Sequence, residues 1–327
     1  MEPTAFKDFK TSRGINYHYY ISAAQADKPT LLFLHGFPSS SYDWDHQVRF
    51  FQERGFGIIV PDLLGYGGTD KPRDVKAYGA KLMAQDMVDI IDHENAKDVI
   101  AVGHDWGSGL NSRLAVYHQG RFKAFAFLAV GFTKPNPDFD LDRIIPFLKK
   151  TFGSDILGYW YFLIEEDSDK VIMEHFDSFF SLLFAADTKV FSKLAPVGAL
   201  KEWVLADKIT EVAPYANDSY KAKRKEELIK GGLYGPTNWY RVMVQKITPA
   251  EERDISADQL TFKKPAFYGP SLRIQVETAE FSKAVFKQHF TNGTIVEFDS
   301  DHWVQLAMPE KVNTELLKWI ESFESSL

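Results

Sequence analysis

The stretch DVIAVGHDWGSGLNSRLAVYH, residues 98–118, carries the information that decides the fold. Asp98 to Val102 is a short, largely apolar run that stops at Gly103, and it reads as a buried strand. Leu110 to His118 has helical spacing. Between them Gly103-His104-Asp105-Trp106-Gly107 has the frame G-x-D-x-G. Its two glycines permit a turn sharp enough to push the middle side chain out over the end of a strand. An Asp at that place is also an ordinary helix N-cap, so the motif needs support from the rest of the chain.

The flanking sequence supplies it. Upstream, Thr30 to Leu34 (TLLFL) and Gly57 to Val60 (GIIV) are fully apolar runs closed by His35-Gly36 and Pro61-Asp62, as buried parallel strands read. Gly14 to Ser22 has the period-two, aromatic look of an antiparallel strand. Val75 to His93 carries helical spacing at Leu82, Met83, Val88 and Ile91. Downstream, Ala124 to Val130 is another apolar strand. Strand and helix in alternation predict an α/β fold with a mostly parallel sheet and helices on both faces. After Phe132 the pattern changes: residues 133–260 are helical in spacing, and rich in aromatics and charges. Strand signals return at Lys263 to Tyr268 and Thr294 to Phe298, and Pro309 to Phe323 closes as an amphipathic helix. The predicted organisation is a core of residues 1–132 and 261–327, interrupted by a helical cap at 133–260.

Composition bounds the function. The 327 residues carry 38 Lys+Arg and 45 Asp+Glu, a net charge of −7 that disfavours nucleic acid and anionic membranes as partners. The chain contains no cysteine, which excludes disulfides, Cys-ligated zinc, iron–sulfur clusters and thiol nucleophiles. Residues 1–10 are polar and do not read as a signal peptide, and no run approaches the ~20 apolar residues of a spanning helix. A cytoplasmic location is expected. No metal-ligand cluster is visible and no Gly-rich phosphate loop follows the first apolar strand, so neither metal nor cofactor is expected. The oligomeric state is not readable. Aromatic residues (27 Phe, 14 Tyr and 7 Trp) fit either a Phe-rich core or a pocket for an apolar ligand.

The chemistry sits at strand ends. A carboxylate at 105 suits attack on an sp³ carbon, which gives a stable alkyl ester, whereas attack on a carbonyl carbon would give a labile anhydride. The leaving group is then an epoxide oxygen or a halide. His302, in Asp299-Ser300-Asp301-His302-Trp303 after the last strand, is the candidate base that activates water against the ester. His35-Gly36-Phe37-Pro38 follows the strand Thr30 to Leu34, where the Phe37 N–H, with that of Trp106, can hold an oxyanion. Pro38 suits a tight or cis turn.

In this order HGFP, PDLLGYGGTDKP, GHDWG and DSDHW resemble the epoxide hydrolase branch of the α/β-hydrolase family, over nearly the whole chain. That resemblance implies an α/β-hydrolase core and an enzyme, a hydrolase acting on ether bonds. It implies an Asp105 alkyl-enzyme intermediate, hydrolysed to a diol by His302-activated water. It also implies two cap tyrosines that hold the epoxide oxygen. Gly158-Tyr159-Trp160-Tyr161-Phe162 points to Tyr159, with Tyr161 as the alternative, and Tyr234-Gly235-Pro236-Thr237-Asn238-Trp239-Tyr240-Arg241 points to Tyr240. His35, Pro38, Trp160, Phe162 and Trp303 are expected to contact a small, apolar substrate, bulky or aromatic. The acid that orients the histidine departs from the family pattern. Alignment on Pro265 puts Ile274 at its place, the segment Ala129-Val130-Gly131-Phe132 offers no carboxylate, and Glu277 is the nearest substitute, with Glu280 further on. The same residues leave other readings open: a haloalkane dehalogenase, or a non-hydrolytic isomerase, cyclase or ligand-binding protein built on the same pocket. A fluoroacetate-type dehalogenase is disfavoured because Trp106 and Gly109 stand where arginines would hold an anion. An esterase would need Ser at 105.

Overall fold

The computed structural model describes residues 1–273 and 279–324. Eight strands form a single sheet: β1 (Phe6–Lys10), β2 (Asn16–Ser22), β3 (Thr30–Leu34), β4 (Gly57–Pro61), β5 (Val99–His104), β6 (Phe122–Leu128), β7 (Ala266–Gly269) and β8 (Gly293–Ile295). Their spatial order is β1-β2-β4-β3-β5-β6-β7-β8. The β1–β2 and β2–β4 pairs are antiparallel and the remainder parallel. The central strands β3, β4 and β5 are buried along their whole length, which is why their sequences show no polar alternation.

Helices cover both faces. On one face α1 (Asp45–Gln52) and the closing helix, Pro309–Glu324, pack Phe51, Val48, Leu316, Trp319 and Ile320 against Phe33, Val60 and Val102. On the other, α2 (Ala80–His93) and α3 (Trp106–His118) bring Met87, Ile90, Leu110 and Leu114 onto Leu32, Ala101 and Phe125. Eight helices lie between β6 and β7: α4 (Leu141–Phe152), α5 (Trp160–Leu163), α6 (Ser168–Glu174), α7 (Phe176–Leu183), α8 (Ala199–Leu205), α9 (Asp218–Gly231), α10 (Tyr234–Val244) and α11 (Ile247–Glu251). They share one apolar core with the α2/α3 face of the sheet, through Trp160, Phe179, Leu183, Trp239 and Tyr240. After β7 come α12 (Ala279–His289), then, beyond β8, α13 (Val304–Ala307) and α14 (Pro309–Glu324).

Three expectations shift locally. β1 falls in the N-terminal segment that reads as polar; it is an edge strand whose side chains are half-buried or exposed, so it carries little apolar signal. The helical pattern from Val75 breaks at Gly79, where the backbone is extended (ψ 128°) and a Cβ would lie 2.2 Å from Glu251 Oε1. The pairing of Thr294 to Phe298 ends at Ile295, and Phe298 returns as an isolated bridge to Ser271.

Candidate active site

The end of β5 places Asp105 in a left-handed turn, φ 53° and ψ −121°, a conformation that costs on the order of 1 kcal/mol or more and persists only where the surroundings enforce it. The glycines enforce it by proximity. A Cβ at Gly103 would stand 2.4 Å from the Gly107 carbonyl oxygen, and one at Gly107 would stand 2.0 Å from that of Leu34. The turn holds because the backbone N–H groups of Ser108 and Gly109 donate to the Asp105 carbonyl at 2.9 and 3.2 Å. The side chain is thus thrown clear of the helix and over the ends of β3 and β5.

Two groups meet the carboxylate. The Phe37 N–H donates to Asp105 Oδ1 at 2.8 Å. His302 Nε2 lies 3.4 Å from Asp105 Oδ2. The close approach of the β3 loop depends on Gly36, where a Cβ would fall 2.3 Å from Asp105 Oδ1. Trp106 is the first residue of α3, where backbone N–H groups have no acceptor within the helix, so its amide is available beside that of Phe37. Burial pushes the Asp105 carboxyl up, but hydrogen bonding and charge from His302, with His104 and the Phe37 N–H, hold it below the usual carboxylate range. It is an anion at neutral pH.

His104, fully buried, packs against the His302 ring at 4.7 Å and donates from Nε2 to the His302 carbonyl at 2.7 Å. Burial, then the neighbouring His302, push its pKa down to about 3, so it stays neutral.

Across from the carboxylate stand two phenols from the cap. Tyr240 on α10 packs edge-on against Phe37, Trp106 and Trp160, each with ring centroids 5.1 Å apart, and against Tyr159 at 6.1 Å. Burial and then the Asp105 charge push Tyr159 up. Burial, then Tyr159 and Asp105, do the same to Tyr240. Both keep their protons at neutral pH. Tyr161 is not a member of this group: its hydroxyl donates to Asp142 at the surface.

Asp105, His302 and the two phenols open on one cavity of about 880 Å³, within the range of small-molecule sites. Asp105, Trp106, His302, Trp303, Tyr159 and Tyr240 line it, with Phe37, Trp160, Phe139, Phe152 and Phe179. Its wall is mostly aromatic and aliphatic. Arg113, Thr133 and Asn136 form a polar part of the wall, where the chain leaves the core for the cap.

Several expected contacts are corrected. His35 does not line the cavity; it is fully buried, with Nδ1 on the Gly36 carbonyl and Nε2 accepting the Leu63 N–H at 3.0 Å, so it ties β3 to the loop after β4. Burial pushes its pKa down. Pro38, joined to Phe37 by a cis peptide, also lies off the cavity. Phe162 does not line the cavity; it is buried in the apolar core that the cap shares with the sheet. Phe176, Phe180 and Phe184 belong to the cap core, with Trp203 half-buried against it.

The orienting acid has a narrower set of candidates. Glu277 and Ile274 lie outside the described residues. Glu280 is exposed and paired with Lys283. Among the described residues, Asp105 is the only carboxylate within 4.0 Å of a His302 ring nitrogen.

One feature had no signal in the sequence. Arg113 of α3 donates from Nε and Nη2 to Glu252 Oε1 and from Nη1 to the Thr133 carbonyl, while Glu252 Oε2 accepts the Asn136 N–H. This buried pair clasps both crossings between core and cap, across 139 residues of sequence. Among the described residues no group of three or more His, Asp or Glu is arranged to hold a metal ion, and no helix is long and apolar enough to cross a membrane.

A parallel sheet with Asp105 on the turn after β5, a backbone donor after β3 and a histidine after β8 defines a class of hydrolase scaffold. The α/β-hydrolase fold model matches residues 29–308, and the chain belongs to that family. Within it, the chain is 24% identical to rat (Rattus norvegicus) bifunctional epoxide hydrolase 2, over 94% of this chain and 54% of the rat protein. The chain thus spans about half the length of that relative. It is 26% identical to epoxide hydrolase srdG of Neurospora crassa, over 95% of this chain and 94% of the fungal protein. Among solved structures, an epoxide hydrolase from an endophytic Streptomyces has the same fold, with a TM-score of 0.82 at 20% identity, covering 98% of this chain and 96% of that one. Potato (Solanum tuberosum) epoxide hydrolase I matches with a TM-score of 0.78 at 22% identity, covering 97% and 99%.

Proposed function

We propose that this chain is an epoxide hydrolase that opens a bulky, apolar epoxide through an ester on Asp105. The observation that carries the reading is an ionised carboxylate opposite two protonated phenols, Tyr240 buried and Tyr159 half-buried, across a largely apolar cavity. That arrangement suits an uncharged substrate whose reaction generates an alkoxide.

In the first step an Asp105 carboxylate oxygen attacks an epoxide carbon. The ring C–O bond breaks, and the alkoxide takes a hydrogen bond and then a proton from Tyr240 or Tyr159. A carboxylate in a water-poor cleft is a better nucleophile than one in bulk solvent, and the phenols stabilise the departing charge without being spent as ions in the resting state. In the second step His302 Nε2 takes a proton from water, whose oxygen attacks the Asp105 carbonyl carbon. The Phe37 and Trp106 amides hold the resulting oxyanion. Its collapse breaks the bond between that carbon and the ester oxygen, which takes the proton back from His302 and leaves as the diol, while Asp105, now holding one oxygen from water, passes the second proton of that water to the phenolate and both return to their resting states.

A haloalkane dehalogenase shares Asp105 and His302 but has no use for paired phenols. The reading is tested by intact-mass spectrometry of the wild type and His302→Gln with styrene oxide, trans-stilbene oxide and matched haloalkanes. His302→Gln is expected to accumulate an adduct on Asp105 with epoxides only, and single turnover in ¹⁸O water is expected to label Asp105. An adduct with haloalkanes only makes the chain a dehalogenase. No adduct and no diol across the panel removes the hydrolase reading in favour of binding or isomerisation.

A further inference from the structure

We infer that Asp301 and Tyr215 form a positioning pair that couples the cap to His302 and so governs the hydrolysis half of the reaction. The inference rests on the epoxide hydrolase reading above. Asp301 Oδ1 accepts the Trp303 N–H at 3.0 Å, an Asx-type turn that encloses His302. Asp301 Oδ2 accepts the hydroxyl of Tyr215 at 2.7 Å, across 86 residues of sequence, from the segment between α8 and α9. With the His104 Nε2–H on the His302 carbonyl, both polar groups of the His302–Trp303 peptide are held. Tyr215 is itself seated against Phe184, whose ring lies 4.2 Å from that of Trp303. The cap therefore reaches the histidine loop twice, by a hydrogen bond and by a ring contact.

A half-buried carboxylate still costs free energy unless its hydrogen bonds are made. Burial pushes the Asp301 carboxyl up, against the opposing pull of Tyr215, the Trp303 N–H and His302. The charged and titratable groups that face the pair are His302, Arg273 at longer range and already bidentate on Asp299, and, on the Tyr215 side, Tyr220 and Asp43. A negative charge beside His302 favours the imidazolium that forms only while water is being activated. It contributes nothing to the attack by Asp105. The pair thus acts on the second step and leaves the first to Asp105 and the two phenols.

The experiment is a single-turnover comparison with styrene oxide, following alkyl-enzyme by quenched-flow mass spectrometry. Asp301→Asn and Tyr215→Phe are each expected to slow adduct hydrolysis about tenfold, the size of one lost hydrogen bond to a charged group. Alkylation should change by about twofold or less. Asp301→Asn keeps an acceptor for the Trp303 N–H, so Asp301→Ala is expected to hydrolyse more slowly than Asp301→Asn. A role confined to folding would slow both steps together. Equal slowing of both steps, or wild-type hydrolysis in both variants, overturns the inference. Absence of any adduct in the wild type removes the hydrolase reading instead. The pair is then decided in the free protein, by ¹⁵N NMR of the His302 ring, assigned with His302→Gln. At fixed pH its ring resonances should shift in Asp301→Asn and stay put in Asp299→Asn, and unmoved resonances in Asp301→Asn overturn the pairing.

Discussion

Tyr240→Phe isolates the chemistry of one hydroxyl. The Tyr240 ring is fixed by edge-on contacts with Phe37, Trp106 and Trp160 at 5.1 Å, and a Phe ring preserves all three. The loss is therefore one donor facing the developing alkoxide. Removing one preorganised donor of that kind costs about 10²–10³ in rate. The fold should barely respond. At about 2.1 cal/mol/K per residue, a chain of 327 residues unfolds with an entropy of roughly 0.7 kcal/mol/K. A hydrogen bond of about 1 kcal/mol then moves Tm by roughly 1.5 °C. Trp106 and Trp160 flank the site, so stopped-flow tryptophan fluorescence can follow alkylation by trans-stilbene oxide in a single turnover. Alkylation by the variant should be slower by about 10²–10³, with Tm within about 2 °C of the wild type. Tyr159→Phe should cause a loss of the same kind, and the double variant should leave little alkylation. In the wild type, alkylation should stay flat as pH rises through the ordinary phenol range near 10, because burial and the Asp105 charge push both phenols up. If Tyr240→Phe alkylates within about twofold of the wild type, the epoxide oxygen is not held by Tyr240 and the proposed geometry of attack is wrong.

Two further outcomes test the scaffold. Glu252→Ala strands the buried Arg113 guanidinium and frees the Asn136 N–H, a loss of about 3–5 kcal/mol that should lower Tm by roughly 4–7 °C by calorimetry. Replacing both partners, Arg113→Met with Glu252→Leu, should recover most of that loss, and a double variant as unstable as Glu252→Ala contradicts the clasp. His104 sets an acid limit. Its folded pKa of about 3 lies below the unfolded value near 6.5, so the unfolded chain binds the proton first, and stability is full above pH 6.5 and lost as pH falls towards 3. By pH 5 this amounts to about 2 kcal/mol. Tm measured from pH 7 to 5 should fall less steeply in His104→Gln than in the wild type, and parallel slopes would assign the acid lability to other groups.

The sequence alone determined the sheet and the turn at its centre. TLLFL, GIIV and DVIAV are apolar throughout because both faces of a parallel sheet are covered, and G-x-D-x-G leaves the backbone no alternative once two carbonyls press on its glycines. Phe37 and Asp105 were legible for the same reason, each lying within three residues of the end of its strand, and His302 through its place in the segment after the last strand. Tyr159 and Tyr240 were legible through local resemblance alone. Tertiary structure decided which buried side chains face the cavity. Periodicity marks a residue as buried without naming its neighbour, so Trp160 and Phe162, two positions apart, looked alike although only Trp160 reaches the cavity. His35 looked like a site residue and proved to be a brace between loops. Arg113 with Glu252, and Tyr215 with Asp301, join segments 139 and 86 residues apart. Such pairs leave no local pattern, because their partners become neighbours only once the cap has folded down onto the strand ends.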